Sequence, residues 1–222
     1  MKKIELKNID PYDIEDLLPK IEHSFGIEFF ENELNHIQTF GEFCEYIESK
    51  IELENTNDCT SQQAFYKLRN ALSEILKKDK EKIHPNLLIE KIIPNNNRKE
   101  IIKQLEDKLD FDLNIMVVPQ WILTILLLML FGSIITLFFF FKFGFFWIIF
   151  TLLCYWISSK FVLVYEFKTL GQIAAKMTRE NYLKSRKNPE TFNKNEIRKI
   201  LTDIFSNELF IEKSKLGNEA MF

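Results

Sequence analysis

The residues of this sequence best suited to nucleophilic or metal chemistry are three cysteines and three histidines, and their spacing serves neither. Cys44, Cys59 and Cys154 are an odd, scattered set without a C-x-x-C pair, so neither a disulfide framework nor a zinc site is supported. His23, His36 and His84 are too far apart in the chain to form a ligand spacing. There is no G-x-S-x-G, P-loop, H-E-x-x-H or glycine-rich nucleotide fingerprint. Six glycines leave few loops able to cradle a phosphate. The expectation is a protein with no catalytic residue, no metal site and no cofactor.

The charged residues are more informative. The net charge of −3 hides an asymmetry. Residues 1–59 carry 15 acidic and 5 basic side chains, whereas residues 160–222 carry 8 and 12. The acidic end would repel nucleic acid and anionic lipid, and the basic end would tolerate an anionic membrane face. Asp13, Glu15, Asp16, Glu22, Glu28, Glu31 and Glu33 crowd one helical stretch and the loop after it. They are candidates for docking a basic protein partner, against the plainer reading of a solvated acidic face. The basic run KMTRENYLKSRK (176–187) is better explained by lipid headgroups and topology than by nucleic acid, because an apolar segment precedes it.

That segment runs from Trp121 to Ser159, and its one charge is Lys142. One spanning helix needs about 20 residues, so two are expected, at 120–141 and 145–165. The turn is expected near FKFG (141–144), with Gly144 permitting the reversal. Trp121 and Trp156 would mark one membrane interface, with Lys160 beside them, and Trp147 and Lys142 the other. The excess of Lys and Arg flanking the spans puts both termini in the cytoplasm, in a bacterial inner membrane. A shallow hairpin dipping into one leaflet is the alternative, and a buried apolar hairpin in a soluble protein a more remote one.

Helical periodicity elsewhere must position these residues. A helix is predicted over 11–25, with Pro11 in its first turn and Gly26 ending it. A second follows Thr39 as N-cap with Glu42 three residues on. Thr60 or Ser61 is expected to cap a long helix, and others are predicted at 97–109, 169–184 and 193–209. No stretch alternates convincingly enough to predict a strand.

Two phrases recur. IEHSFGIEF (21–29) aligns with LEDKLDFDL (105–113), and IQTFGEFCEYI (37–47) with FKTLGQIAAKM (167–177). Seven residues separate the first pair and 53 the second, so the apolar hairpin reads as an insertion into a loop of the second copy.

Residues 9–51 resemble the second to fourth helices of an acyl carrier protein, through E-x-x-F-G-I-E, an acidic linker and T-F-G before a helix ending near Tyr46-Ile47. The second copy resembles that family more loosely: TSQQAFYKLRNALSEIL would be its first helix, RKEIIKQLEDKLDFDL its second and TLGQIAAKMTREN its last. NKNEIRKILTDIFSNELFIEKSKLGNEAMF (193–222) resembles a carrier-protein first helix and loop, which would complete the first copy by circular permutation; a free amphipathic tail on the membrane is the alternative. The family attaches phosphopantetheine to a serine at the start of its second helix. By the family spacing Pro11 and Asn95 occupy the two attachment positions here, and neither is an acceptor.

The resulting expectation is an all-α chain of two small acyl-carrier-protein-like bundles plus a two-helix transmembrane hairpin. Its modules would be 1–51 completed by 193–222, a linker at 52–59, 60–116 with 166–192, and the hairpin at 117–165. The function expected is a non-catalytic membrane-anchored scaffold, with the lipid bilayer and a basic protein as partners and no nucleic acid. The alternatives are a tethered acyl carrier modified at another serine, or a small membrane protein of protective or regulatory type. Oligomeric state is open.

Overall fold

The computed structural model describes residues 11–222, so the first ten residues of the expected first module lie outside it. Most of the described residues are helical. The chain forms two compact units, a helical one (Met1–Leu113 with Thr169–Phe222) and a hairpin (Asn114–Lys168). The described part of the expected first module falls within the helical unit, as does the second except for 114–116 and 166–168, which belong to the hairpin.

The helical unit begins with α1 (Pro11–Glu15) and α2 (Leu18–Phe25). The single helix expected over 11–25 is interrupted because Pro19 stands in the first turn of α2. Proline offers no N–H, and its ring would clash with the carbonyl four residues back. Next, α3 (Phe40–Lys50) starts on the capping box of Thr39 and Glu42 that the sequence predicted. A two-residue strand, β1 (Glu54–Asn55), precedes α4 (Thr60–Leu76). Neither Thr60 nor Ser61 caps α4. Its N-cap is Cys59, without a side-chain bond, and the Thr60 N–H donates to both carboxylate oxygens of Glu196 at 3.1 Å. Short α5 (Ile89–Ile92) and α6 (Arg98–Leu109) follow.

The hairpin unit comprises β2 (Met116–Val117), α7 (Gln120–Phe139), α8 (Phe141–Phe161) and β3 (Val164–Tyr165). Strands β2 and β3 pair antiparallel, Met116 against Tyr165 and Val117 against Val164. This ribbon brings the two ends of the hairpin together, as an insertion into a loop requires. The helices reverse at Phe140, not at FKFG, and Gly144 lies inside α8. A Cβ at Gly144 would come 2.4 Å from the Leu137 Cα, so its role is close helix approach, as small residues serve in membranes. Ser133 and Thr151 are also buried in this unit. Their hydroxyls donate to the Leu130 and Trp147 carbonyls at 2.6 and 2.9 Å, so both are satisfied in an apolar setting.

Back in the helical unit, the helix expected over 169–184 divides at Asn181 into α9 (Leu170–Glu180) and α10 (Tyr182–Ser185). Then β4 (Thr191–Phe192) and α11 (Lys194–Glu208) close the chain's regular structure. β1 and β4 pair in parallel, so residues 52–59 are an ordered connector. The four strands among the described residues have two residues each, too few for alternation to register in the sequence.

The two recurring phrases build the same devices. α2 ends at Gly26 (φ 64°, ψ 35°) and α6 at Asp110 (φ 62°, ψ 35°), both left-handed. The Glu22 carboxylate accepts the Phe29 N–H at 2.6 Å, and the Glu106 carboxylate accepts the Leu113 N–H at 2.8 Å. Thr39 with Glu42 and Thr169 with Gln172 form matching capping boxes. The buried faces coincide: Phe40, Phe43, Cys44 and Ile47 on α3, and Leu170, Ile173, Ala174 and Met177 on α9.

The loops behind them match too. Phe40 and Gly41 donate their N–H groups to the Ala220 and Asn218 carbonyls, while Leu170 and Gly171 donate to those of Leu87 and Pro85. These loops follow α11 and α4, whose buried positions also correspond: Ile197, Leu201, Ile204 and Phe205 against Ala64, Leu68, Ala71 and Leu72. α11 therefore stands to α3 as α4 stands to α9. Phe40 and Phe43 meet Phe205 edge-on at 5.2 and 5.6 Å in one buried cluster that also holds Ile21, Phe25 and Leu201. Burial of each such side chain contributes about 1.5–3 kcal/mol.

Candidate docking surfaces

The two attachment positions fall at element starts: Pro11 opens α1, and Asn95 begins a short 3-10 turn before α6. Their side chains lie outside the described set.

The acidic stretch is divided by the fold. Asp13, Glu15, Asp16, Glu28 and Glu31 are exposed. Glu22 is half-buried, and its carboxylate is committed to the Phe29 N–H. Glu33 is committed more fully. It pairs with Lys50, accepts the Phe30 N–H at 2.8 Å, and is bonded by the Tyr46 hydroxyl. Those donors, Lys50 first, hold its carboxyl down at about 2. The Lys50 ammonium also lies 5.1–5.8 Å from the ring centres of Phe29, Phe30 and Tyr46, within cation–π range. Glu22 and Glu33 thus brace the loop between α2 and α3, and five exposed carboxylates remain for docking.

The basic run is divided as well. Arg186 has no exposed surface and Lys176 very little. The Arg186 guanidinium donates to the hydroxyls of Thr60 at 2.5 Å, Thr56 at 2.6 Å and Thr191 at 3.2 Å, with the Glu196 carboxylate 4.0 Å away. The Tyr182 hydroxyl completes the cluster, accepting from Arg186 at 3.3 Å and from the Asn193 N–H at 2.8 Å. Burial pushes that phenol's pKa up. Arg186 thus joins the two connectors that β1 and β4 also pair, and it is unavailable to lipid. Sequence spacing gave no sign of this hub, because its partners come from three separate segments. Glu22 and Glu106 had a signal: they hold the same place in the repeated phrase.

The remaining candidates are dispersed. Cys44 is buried, and burial pushes its thiol up to about 12. Cys59 is exposed, and Cys154 lies in α8. His23 Nε2 is 3.1 Å from Asn181 Oδ1, and His36 packs edge-on to Tyr46. Among the described residues no group of three His, Cys, Asp or Glu side chains is placed to hold a metal. On the hairpin, Trp121 lies in the first turn of α7, and Lys142 and Trp147 near the start of α8. Trp156 and Lys160 lie towards its end.

No family model, curated protein or solved structure matches the chain.

Proposed function

We propose that this chain is a non-catalytic scaffold, anchored in a membrane by its hairpin and carrying two carrier-like helical modules that offer an acidic surface to a basic partner. The observation that carries the anchoring is the hairpin itself. Its helices have 20 and 21 residues, with mean hydropathy 2.7 and 1.6, and only 11% of each apolar window is buried. A core helix of a soluble protein would be mostly buried, and 20 residues rise about 30 Å, the thickness of a hydrocarbon core. The membrane would be a bacterial inner membrane, and the flanking Lys and Arg favour both termini on its cytoplasmic side.

Support for the modules is the matched set of caps, carboxylate braces and buried faces in the two repeats. The first module would be permuted, α11 serving as its first helix, and the second would hold the hairpin in its long loop. An acyl-carrying role needs a hydroxyl at the start of α1 or in the turn before α6, and Pro11 and Asn95 supply none. The five exposed carboxylates then leave docking as the use of the surface.

The test is the intact mass of the protein extracted from its native membrane. An unmodified chain is expected. An increment of phosphopantetheine, acylated or not, overturns the reading and makes the protein a tethered carrier. Spanning is tested separately by protease protection of a tag placed after Lys142, which should be cleaved from the far side of the membrane.

A further inference from the structure

The second repeat contains a cleft in the loop that follows α4. α4 ends at Leu76, and Lys77 takes a left-handed conformation (φ 52°) as its C-cap. The chain turns back through a 3-10 turn at Lys80–Lys82 and returns along α5. Between these segments lies a cleft of about 430 Å³. Its floor is Ile83, Leu87 and Ile92, and its rim is Lys77, Lys78, Lys82 and Lys91. Asp79 is the one carboxylate in the lining, 3.4 Å from Lys82. Lys78 donates to the Ile92 carbonyl at 3.2 Å. Four lysines thus line one opening with a single carboxylate among them.

The first repeat is an internal control for what the fold itself requires. There Phe210 takes the place of Lys77, with the same left-handed backbone (φ 54°), and Leu216 takes the buried place of Ile83. Ile211 and Lys215 stand where the second repeat has Lys78 and Lys82. The scaffold closes this loop with one lysine instead of three at those positions. The turn itself therefore does not require the extra lysines of the second repeat, and gathering like charges in one cleft costs stability until an anion occupies it.

We propose that this cleft binds the phosphate of an amphiphile, the rim holding the phosphate and the floor receiving the adjoining apolar carbons. Ammonium groups bind phosphate oxygens as point charges through strong, charge-assisted hydrogen bonds. An apolar floor beneath a cationic rim selects a phosphate ester with a hydrocarbon part over inorganic phosphate. Two sources share this chemistry, a phospholipid headgroup and a soluble phosphate ester. The inference is independent of the scaffold reading, since a carrier would offer the same cleft.

The experiment is hydrogen exchange of residues 77–92 in the full-length protein, reconstituted in nanodiscs of zwitterionic lipid alone or doped with an anionic phospholipid. Dihexanoyl phosphatidic acid and inorganic phosphate are added separately to the zwitterionic discs. Slowed exchange with the anionic discs assigns the headgroup as the source. Slowed exchange with the soluble short-chain lipid alone assigns a soluble ester. The double variant Lys78→Gln/Lys91→Gln should weaken either response about a hundredfold, each lost ionic hydrogen bond being worth about tenfold. Equal responses in variant and wild type overturn the proposal, as does no response to any anionic probe. An unchanged melting curve of the variant excludes a folding defect.

Discussion

The two repeats share a skeleton and differ in surface chemistry. Both end a helix on a left-handed residue, both brace the following loop with a glutamate that accepts an N–H seven residues on, and both cap the next helix with threonine. Yet exposed carboxylates gather around α1 and α2 of the first, and lysines ring the α4–α5 cleft of the second. The devices that fix the backbone act on N–H groups and buried apolar faces, which leave few substitutes. The exposed positions are free of that constraint and can diverge towards different partners.

The sharpest way to break this comparison is through the cores. Leu68 of α4 and Leu201 of α11 occupy corresponding positions, and both have no exposed surface. Leu68→Ala and Leu201→Ala should each cost about 2–5 kcal/mol in a denaturant titration of the full-length protein in mild detergent. The two costs should be alike. If Leu201→Ala were nearly silent, α11 would be no structural partner of α3, and the correspondence with α4 would fail.

The carboxylate braces come next. Glu22→Ala and Glu106→Ala each remove a charged acceptor from a backbone N–H, worth about 1.5–3 kcal/mol when intact. Local hydrogen exchange should speed up at Phe29 in one variant and at Leu113 in the other, with each repeat leaving the other unaffected. A cost confined to one variant would show that the shared geometry carries unequal weight. The caps should matter less: Thr39→Ala and Thr169→Ala are each expected to cost about 1 kcal/mol in the same titration.

Much of this skeleton was legible in the sequence because it is written in local signals. The Thr39 box needs only Thr and Glu three residues apart, and the α4 and α11 stripes recur every three or four residues. The break before α2 was equally local, since Pro19 stands in plain view, but the apolar stripe from Ile14 to Phe25 masked it. Other features had no local signature. Gly144 has the residue type of a turn, and only the approach of Leu137 makes it a packing residue. Arg186 reads as one more cation in a basic run, and its burial depends on Thr56, Thr60 and Thr191 arriving from elsewhere. Part of the acidic stretch was likewise tertiary in meaning: Glu33 is a strut because Lys50 reaches it from α3.

The smallest effect separates the repeats most cleanly, because it turns on one atom substitution in otherwise matching caps. In the first repeat Glu42 accepts the N–H groups of Gln38 at 2.7 Å and Thr39 at 3.1 Å, and those bonds lower its pKa. Glu33 nearby is held at about 2. In the second repeat the same cap position is Gln172, which accepts the Thr169 N–H at 3.1 Å and has no charge to lose. A carboxyl whose folded pKa is depressed contributes stability above its unfolded value, 4.5 for both glutamates. That contribution is lost as pH falls through the folded value. As pH falls below 4.5, exchange at Gln38 and Thr39, and at Phe30 down to about pH 2, corrected for intrinsic rates, should therefore rise while Thr169 stays protected. Glu42→Gln should remove the pH dependence at Gln38 and Thr39 and leave that at Phe30, which answers to Glu33. Equal acid sensitivity at Thr39 and Thr169 in the wild type would mean that the whole helical unit opens together, and that the two caps are not independent copies of one device.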